Sequence, residues 1–429
     1  MRYVSTRGGS DAVSLSEAVE RGLAPDSGLY VPEAHPTVPA EALAGAETLP
    51  EVAERVLAPF FAGDALAPAL GDVCREAFTF PVPLRELGSD TAVLELFHGP
   101  TAAFKDVGAR FLAALMSRLG GGDARPLTIL VATSGDTGGA VAAAFHGRPG
   151  VEVAVLYPAG MVSPRQEKQL TAWGGNVRAF AVRGAFDDCQ RLVKAAMTDA
   201  ALRAARRLSS ANSISVGRLL PQMAYYAWSA QESLRRHGRE PGFVIPSGNL
   251  GNAVAALWAR RAGLPVREVV IATNANRAVS AFAAGAPWAA HPTVPTLATA
   301  MDVGDPSNME RIFHLHGGPE AARPSLRVER VDDDEIRRVI REGPARWATV
   351  WDPHTATAVA ARERLGGRDW IVVATAHPAK FEGVVEPLVG RTVPVPPELQ
   401  RLLDRPSHAE TIDPTLDAFR DALEAPEFS

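Results

Sequence analysis

The run Leu127-Thr-Ile-Leu-Val-Ala-Thr-Ser-Gly-Asp-Thr-Gly-Gly-Ala140 decides how the rest of the chain is read. Its first seven residues are apolar or β-branched, the signature of a strand buried on both faces. A glycine-rich turn follows, and then small residues, Gly138 to Phe145, that suit a closely packed helix. A buried strand handing over to a helix through glycines is one repeat of an α/β fold, and further repeats lie downstream. VEVAVLYP (151–158) and NVRAFAV (176–182) read as strands, with SPRQEKQLTAWG (163–174) as the helix between them. Phe186, Cys189, Val193 and Met197 then mark one face of the next helix. Later come the strands GFVIP (242–246) and REVVIATNA (267–275), separated by the helix Ala253 to Arg261, and a last buried strand DWIVVATA (369–376). The pattern predicts parallel sheets with helices on both faces.

The first 90 or so residues differ. Ser14 and Glu17 have capping-box spacing, Gly22 offers a helix stop, and LPEVAERVLAPFF (49–61) carries an apolar helical stripe. The division expected is a mostly helical unit at 1–90, a small α/β domain at 91–215 and a large α/β domain at 216–429.

Composition narrows the function. The chain has 429 residues, 46% hydrophobic and 22% charged, enough for a large core. Its net charge of -5 argues against nucleic acid as a partner. No apolar run resembles a signal peptide or a membrane span, so a cytoplasmic protein is expected. Cys74 and Cys189 form no paired-cysteine motif and read as buried thiols, and His314 and His316 lack a third ligand for a metal.

Two glycine loops stand where strands meet helices, the place where an open α/β sheet binds ligands. PSGNLGN (246–252) has glycines that let amides approach an anion, next to the positive end of a helix dipole; it reads as a phosphate loop or as a structural turn. In ATSGDTGGA (132–140), Ser134, Asp136 and Thr137 could hold a carboxylate or a ring hydroxyl, or Asp136 could cap the helix.

The turn ELFHGPTAAFKD (95–106) adds a lysine. Only four lysines occur among 44 basic residues: Lys105, Lys168, Lys194 and Lys380. Where arginine serves nearly everywhere as a plain cation, a retained lysine draws notice, because a desolvated amine attacks an aldehyde and a guanidinium does not. Lys168 and Lys194 lie on helical patterns as solvated charges. Lys105 follows a Gly-Pro turn and reads either as a functional amine or as a helix-start charge. With two anion loops, Lys105 suggests an aldehyde cofactor bearing a phosphate, pyridoxal 5'-phosphate.

Taken together, YVSTRGG, LAPDSGLYVP, LFHGPTAAFKD, ATSGDTGGA, NSISVGRLLPQ, PSGNLGNA, MDVGDPSNMER, WDPHTATAV and ATAHPAKF run collinearly along almost the whole chain. In this the sequence resembles threonine synthase, in its longer bacterial and fungal branch. The resemblance implies the fold-type II pyridoxal-phosphate architecture (tryptophan synthase β-like), with two open α/β domains and an N-terminal helical subdomain. It implies Lys105 as the Schiff-base lysine, Gly248, Asn249, Leu250, Gly251 and Asn252 around the cofactor phosphate, and Asp136 beside the ring. Thr375 would face the pyridine nitrogen, where a neutral hydroxyl leaves the ring a weaker electron sink, suited to elimination and replacement. Ser134, Gly135 and Thr137 would take the substrate carboxylate, joined by Asp136, and Asn212, Ser213 and Arg218 the substrate's own phosphate. The implied reaction converts O-phospho-L-homoserine and water to L-threonine and phosphate, in a monomer or homodimer. The alternatives are a lyase of the same fold that releases 2-oxobutyrate, and a non-catalytic cofactor-binding protein. Ser27, Ala102, Ala300 and Asp305 stand where the family usually has glycine, leucine, serine and asparagine. His98, His354 and His377 fall in family motifs and read as packed or hydrogen-bonded side chains.

Overall fold

The structure, a computed structural model, describes residues 1–119 and 125–425. The strands are β1 (Tyr3–Ser5), β2 (Tyr30–Pro32), β3 (Leu84–Glu86), β4 (Thr91–Glu95), β5 (Leu127–Ala132), β6 (Val151–Pro158) and β7 (Val177–Val182). They continue as β8 (Arg207–Ser210), β9 (Gly242–Pro246), β10 (Glu268–Thr273), β11 (Arg327–Arg330), β12 (Trp370–Ala374) and β13 (Glu410–Ile412). One sheet has the order β11-β10-β9-β12-β4-β3, the other β13-β7-β6-β5-β8, and β1 pairs with β2 alone. Every pairing is parallel except β1 with β2 and β3 with β4.

Strand register explains why both faces are covered. In β9 and its neighbours, Phe243, Ile245, Val269, Ile271, Ile371 and Val373 point into one apolar cluster, while Val244, Val270 and Val372 point into another. The smaller sheet behaves alike. Leu130, Ala154, Leu156 and Phe180 meet the helices Phe186–Thr198 and Leu416–Glu424, whereas Ile129, Val131, Val153 and Val155 join the main core. Alternation at a period of two, buried on both sides, is what makes these strands continuous apolar runs in the sequence.

The sheets correct the expected domain boundaries. Strand β4, placed in the small domain, pairs with β12 in the six-stranded sheet, and β13, placed in the large domain, completes the five-stranded one beside β7. The predicted local features are present: Ser14 and Glu17 form a capping box, and Gly22 closes that helix at φ 70°. Ser27 adopts φ 64°, the left-handed region that favours glycine, the residue the family usually has there. Both cysteines are buried thiols. Among the described residues no helix is long and apolar enough to cross a membrane.

Candidate active site

Five segments converge because each follows the C-terminal end of a parallel strand: 96–104 after β4, 133–137 after β5, 211–218 after β8, 247–252 after β9 and 375–380 after β12. The turn before Lys105 is stitched to the segment after β12. The Phe104 amide donates to the Thr375 carbonyl (2.8 Å), the His377 amide to the Ala102 carbonyl (3.0 Å), and Ala103 bridges Ala376. Ala102 takes a left-handed φ of 53° to make this turn.

Lys105 opens the helix Lys105–Met116, half-buried, with Nζ 4.4 Å from the Phe104 ring centroid and no hydrogen bond to any described residue. Desolvation, then the Arg218 cation, pull its amine down to about 7, against an upward pull from Asp136. An amine that is about half neutral at pH 7 is a competent nucleophile and base. The other lysines are differently placed. Lys380 is fully buried and donates to Asp136 Oδ1 (2.8 Å) and the Thr101 carbonyl (2.7 Å), Lys168 donates to Ser407, and Lys194 is exposed.

The loop after β9 is built to receive an anion. Leu250 stands at φ 63° without a glycine's freedom, a conformation that turns successive amides to one side, and the helix Gly251–Arg261 starts there with no side-chain cap. The amides of residues 248–253 donate to no described residue. Ser247 Oγ and Asn252 Nδ2 are buried without partners. Tyr225 and Tyr226 hydroxyls both lie 2.6 Å from Asn252 Oδ1, which fixes the amide and leaves Nδ2 as the free donor. Asn249 is different. Its Nδ2 donates to Ser213 Oγ (2.7 Å) and its Oδ1 accepts the Ser307 amide (2.6 Å), so its side chain joins loops and only its amide remains for an anion.

The two glycines of this loop have separate reasons. A Cβ on Gly248 would lie 2.6 Å from the Met301 Cα, whereas one on Gly251 would meet only Ser213 and Asn308 at 3.6 and 3.7 Å. The close approach to an anion, for which the sequence suggests both glycines, is thus not the only demand at Gly248, which the fold itself requires. Gly251 has no protein neighbour that demands it, which leaves a ligand as the reason. Gly248→Ala should destabilise the cofactor-free protein by about 1–3 kcal/mol, as overpacking does. Gly251→Ala should melt like the parent without cofactor but bind the cofactor at least about tenfold more weakly; spectroscopic titration and thermal melts of both variants separate the two effects.

In the loop after β5, Gly135 at φ 144° is the helix N-cap, and its absent side chain makes room for Gln166, whose Nε2 would lie 2.5 Å from a Cβ there. Thr133 Oγ1 accepts the Gly135 and Gly138 amides and shapes the turn. The amides and hydroxyls of Ser134 and Thr137 bond no described residue, leaving donors at a helix start for a carboxylate. Asp136 does not cap the helix, whose N-cap is Gly135. Its Oδ1 is held by Lys380 Nζ and Gln166 Nε2 (3.0 Å), while Oδ2 bonds no described residue. Ion pairing also explains why it stays ionised: burial raises its pKa, yet Lys380 and, more weakly, His354 bring it below the ordinary value.

Arg218 is 3% exposed, not a helix-surface charge. Its Nη1 donates to the Ala211 carbonyl (2.6 Å), while Nε is buried without a partner and Nη2 bonds no described residue, so the Nε/Nη2 edge of the fork is open. Asn212 Nδ2 is likewise uncommitted, and Ser215 Oγ is buried and unpaired. Gly108 explains the proximity of Arg218 to the Lys105 helix: a Cβ there would lie 2.8 Å from the Arg218 carbonyl. Thr375 is 5% exposed at the end of β12, its amide donating to Thr355 Oγ1 (3.2 Å) and its own hydroxyl unbonded.

Several supporting residues carry no functional signal in the sequence beyond their place in a motif. Arg311, fully buried, donates to the carbonyls of Tyr30, Ser213 and Ile214 and to Asn308 Oδ1, and Asn308 donates to the Asn249 and Ser213 carbonyls. They brace both anion loops. His354 has Nδ1 2.9 Å from Asp352 and accepts the Ala300 amide at Nε2, His98 pairs with Glu95, and His377 caps a turn at Ala379. All three are hydrogen-bonded, as expected.

Comparison with known proteins agrees with this geometry. A family model for pyridoxal-phosphate dependent enzymes matches residues 80–376, one for the threonine synthase N terminus matches 2–78, and one for the threonine synthase C-terminal part matches 355–423. The chain is 40% identical to threonine synthase of Escherichia coli over 411 residues, 95% of each chain, and 38% identical to that of Serratia marcescens over 99% of each. Among solved structures it superposes on pyridoxal-phosphate-bound threonine synthase from Brucella melitensis with a TM-score of 0.90 and 36% identity, covering 99% of this chain and 98% of that one. Threonine synthase from Escherichia coli gives 0.89 and 37% over 99% of each. A pyridoxal-phosphate-dependent aspartate racemase, at 14% identity and a TM-score of 0.54, shares the fold alone.

Proposed function

From the premise that the chain belongs to the threonine synthase family, a fold-type II pyridoxal-phosphate enzyme, we propose that the convergent loops around Lys105 are its active site. The enzyme converts O-phospho-L-homoserine and water to L-threonine and phosphate. One observation carries the assignment of the site: two separate anion grips flank a single uncommitted amine. The first is the 248–253 amide nest with Ser247 and Asn252; the second is the open edge of Arg218 with Asn212. One phosphate needs one grip. Two fit a phosphorylated cofactor together with a phosphorylated substrate.

The cofactor fits the first grip, where the orphaned donors and the space beside Gly251 await a phosphate, with Lys105 to carry it and Thr375 at the ring nitrogen. Bound there, it supplies a sink for the electrons left when a proton leaves the substrate's Cα. The chain does the rest. Ser134 and Thr137 hold the substrate carboxylate through their amides, with Gly135 giving the turn its shape. Arg218, Asn212 and Ser213 hold the phosphate on Cγ. Lys105 Nζ takes the proton at Cα and moves protons at Cβ, its lowered basicity allowing it to accept and release them near neutral pH. Phosphate leaves from Cγ into the Arg218 grip, Cγ takes up a proton in exchange for the one lost from Cβ, water adds its hydroxyl at Cβ and its proton to the released phosphate, and Cα regains its proton from Lys105.

The proposal extends to a cytoplasmic enzyme, monomer or homodimer, without a nucleic-acid partner, in keeping with the net charge of -5. Incubation with O-phospho-L-homoserine tests the whole reading. Threonine and phosphate are expected in equal amounts; phosphate with 2-oxobutyrate in place of threonine would identify a lyase instead.

A further inference from the structure

Lys380 is the second lysine held in a family motif, and the reaction above gives it nothing to do. It is 0% exposed, a burial at which a charged amine survives only if paired. Its partners come from two different segments. Asp136 Oδ1, at 2.8 Å, belongs to the helix after β5, and the Thr101 carbonyl, at 2.7 Å, belongs to the turn that presents Lys105. Gln169 Nε2 donates to the same carbonyl (2.9 Å), and Gln166 Nε2 to the same carboxylate (3.0 Å). On its other side Thr101 is fixed through its amide and hydroxyl to Asp106, the residue after Lys105 (2.9 and 2.7 Å). The ammonium is thus the junction between the carboxylate-binding loop and the lysine turn. A compact point charge with three donors fits such an enclosed corner, and a chain that uses arginine almost everywhere keeps a lysine here.

We propose that Lys380 is a positioning residue that clamps the 133–137 loop to the Lys105 turn and, by occupying Asp136, withholds that carboxylate from the Lys105 amine. The proposal rests on the reading of Lys105 as the reactive amine. The charges around the two groups are few. Lys105 faces Arg218 from the helix Val216–Leu219 and Asp136 from the helix Asp136–Phe145. Asp136 faces Lys380 and His354; Lys380 also feels Asp106 and His377. Among the described residues Asp136 is therefore the acidic group acting on Lys105, and Lys380 is the cation directly bonded to it. With Lys380 bonded to it, Asp136 pulls the Lys105 amine up by less than desolvation and Arg218 pull it down, and the amine lies at about 7. Without it, the unpaired carboxylate would turn to the only other ammonium nearby and hold it protonated.

The test reads the Lys105 proton directly, without turnover. Cofactor-free protein is acetylated briefly at a series of pH values, and modification of the Lys105 peptide is followed by mass spectrometry. The parent should show a midpoint near 7. Lys380→Met should move it up by about one unit or more, the usual effect of an unpaired charge close by. Lys380→Met combined with Asp136→Asn should return the midpoint to within about half a unit of the parent, because a neutral pair leaves no charge to act. An unchanged midpoint in folded Lys380→Met overturns the proposal. Should that variant not fold, Lys380→Gln, which keeps a donor for Asp136 and the Thr101 carbonyl without the charge, takes its place, and an unchanged midpoint in it overturns the proposal equally. A purely structural role for Lys380 would not move the midpoint up in the single variant and back in the double. Failure of the Lys105 reading is seen separately, as borohydride-fixed cofactor on a different lysine in the parent.

Discussion

Lys105→Met protein is expected to fold, to hold no covalently attached cofactor and to lose at least about 10³-fold in threonine formation, since both attachment and proton transfer at Cα depend on this amine. Lys105→Arg should fail as completely, because a guanidinium keeps the charge and cannot take the place of a nucleophilic amine. A second consequence separates function from folding. The Lys105 amine is lowered to about 7 in the fold, chiefly by desolvation, from the ordinary lysine value of 10.5. In the cofactor-free protein its charged form is therefore disfavoured by folding. That penalty is present in full below about pH 7, fades as pH rises toward the unfolded value and is absent above it. Lys105→Met should consequently melt higher than the cofactor-free parent at pH 6, with the difference shrinking toward pH 9. Thermal melts at the two pH values check the sign. A variant that loses activity and loses stability at pH 6 would mean that the lysine serves the fold.

Arg218→Ala is expected to lower kcat/KM for O-phospho-L-homoserine by at least about 100-fold, the worth of two charge-assisted hydrogen bonds at roughly 1.5 kcal/mol each. Two bonds are counted because Nε and Nη2 form one open edge, while Nη1 is already committed to Ala211. Arg218→Lys should recover only part, since a point charge cannot present that edge and cannot also hold the Ala211 carbonyl. Cofactor affinity should be nearly unchanged in both variants, because the cofactor phosphate is assigned its own nest at 248–253. Steady-state kinetics with parallel cofactor titration measures both quantities. Parent-like kcat/KM in the two variants would remove Arg218 from the substrate site, and equal losses of cofactor and substrate binding would merge the two grips into one.

The parts of this fold that are legible in the sequence are those whose cause is local. Strands such as Val151–Pro158 and Val177–Val182 are buried on both faces, so each announces itself as an apolar run. Edge strands do not. Arg207–Ser210 and Arg327–Arg330 carry charged and polar residues and become strands only through the ladder of a neighbour, and Glu410–Ile412 joins Val177–Val182 from the far end of the chain. Glu410–Ile412 falls on the wrong side of the expected boundary for that reason, and Thr91–Glu95 does so because its partner strand, Trp370–Ala374, lies far along the chain. At the site, Lys105 stands out because lysine is rare, and the glycine loops because their backbone demands are local. The ion pair of Asp136 is not legible, since its partner, Lys380, is distant in sequence and nothing in ATSGDTGGA points to it. Arg311 and Asn308 act mainly on main-chain carbonyls, which have no letter in a sequence. Asn249 shows the same limit in reverse: its side chain suits an anion, yet it is spent on Ser213 and Ser307.

The central claim is that Lys105, lying between an amide nest and the open edge of Arg218, is the lysine that carries the cofactor. Reduction of the loaded protein with borohydride, followed by proteolysis and mass spectrometry of the pyridoxyl-labelled peptide, tests it most directly. The label is predicted on Lys105, with Lys168, Lys194 and Lys380 unmodified. A label on Lys380, the only other lysine in this buried region, would contradict both the site and the ion pair assigned to it.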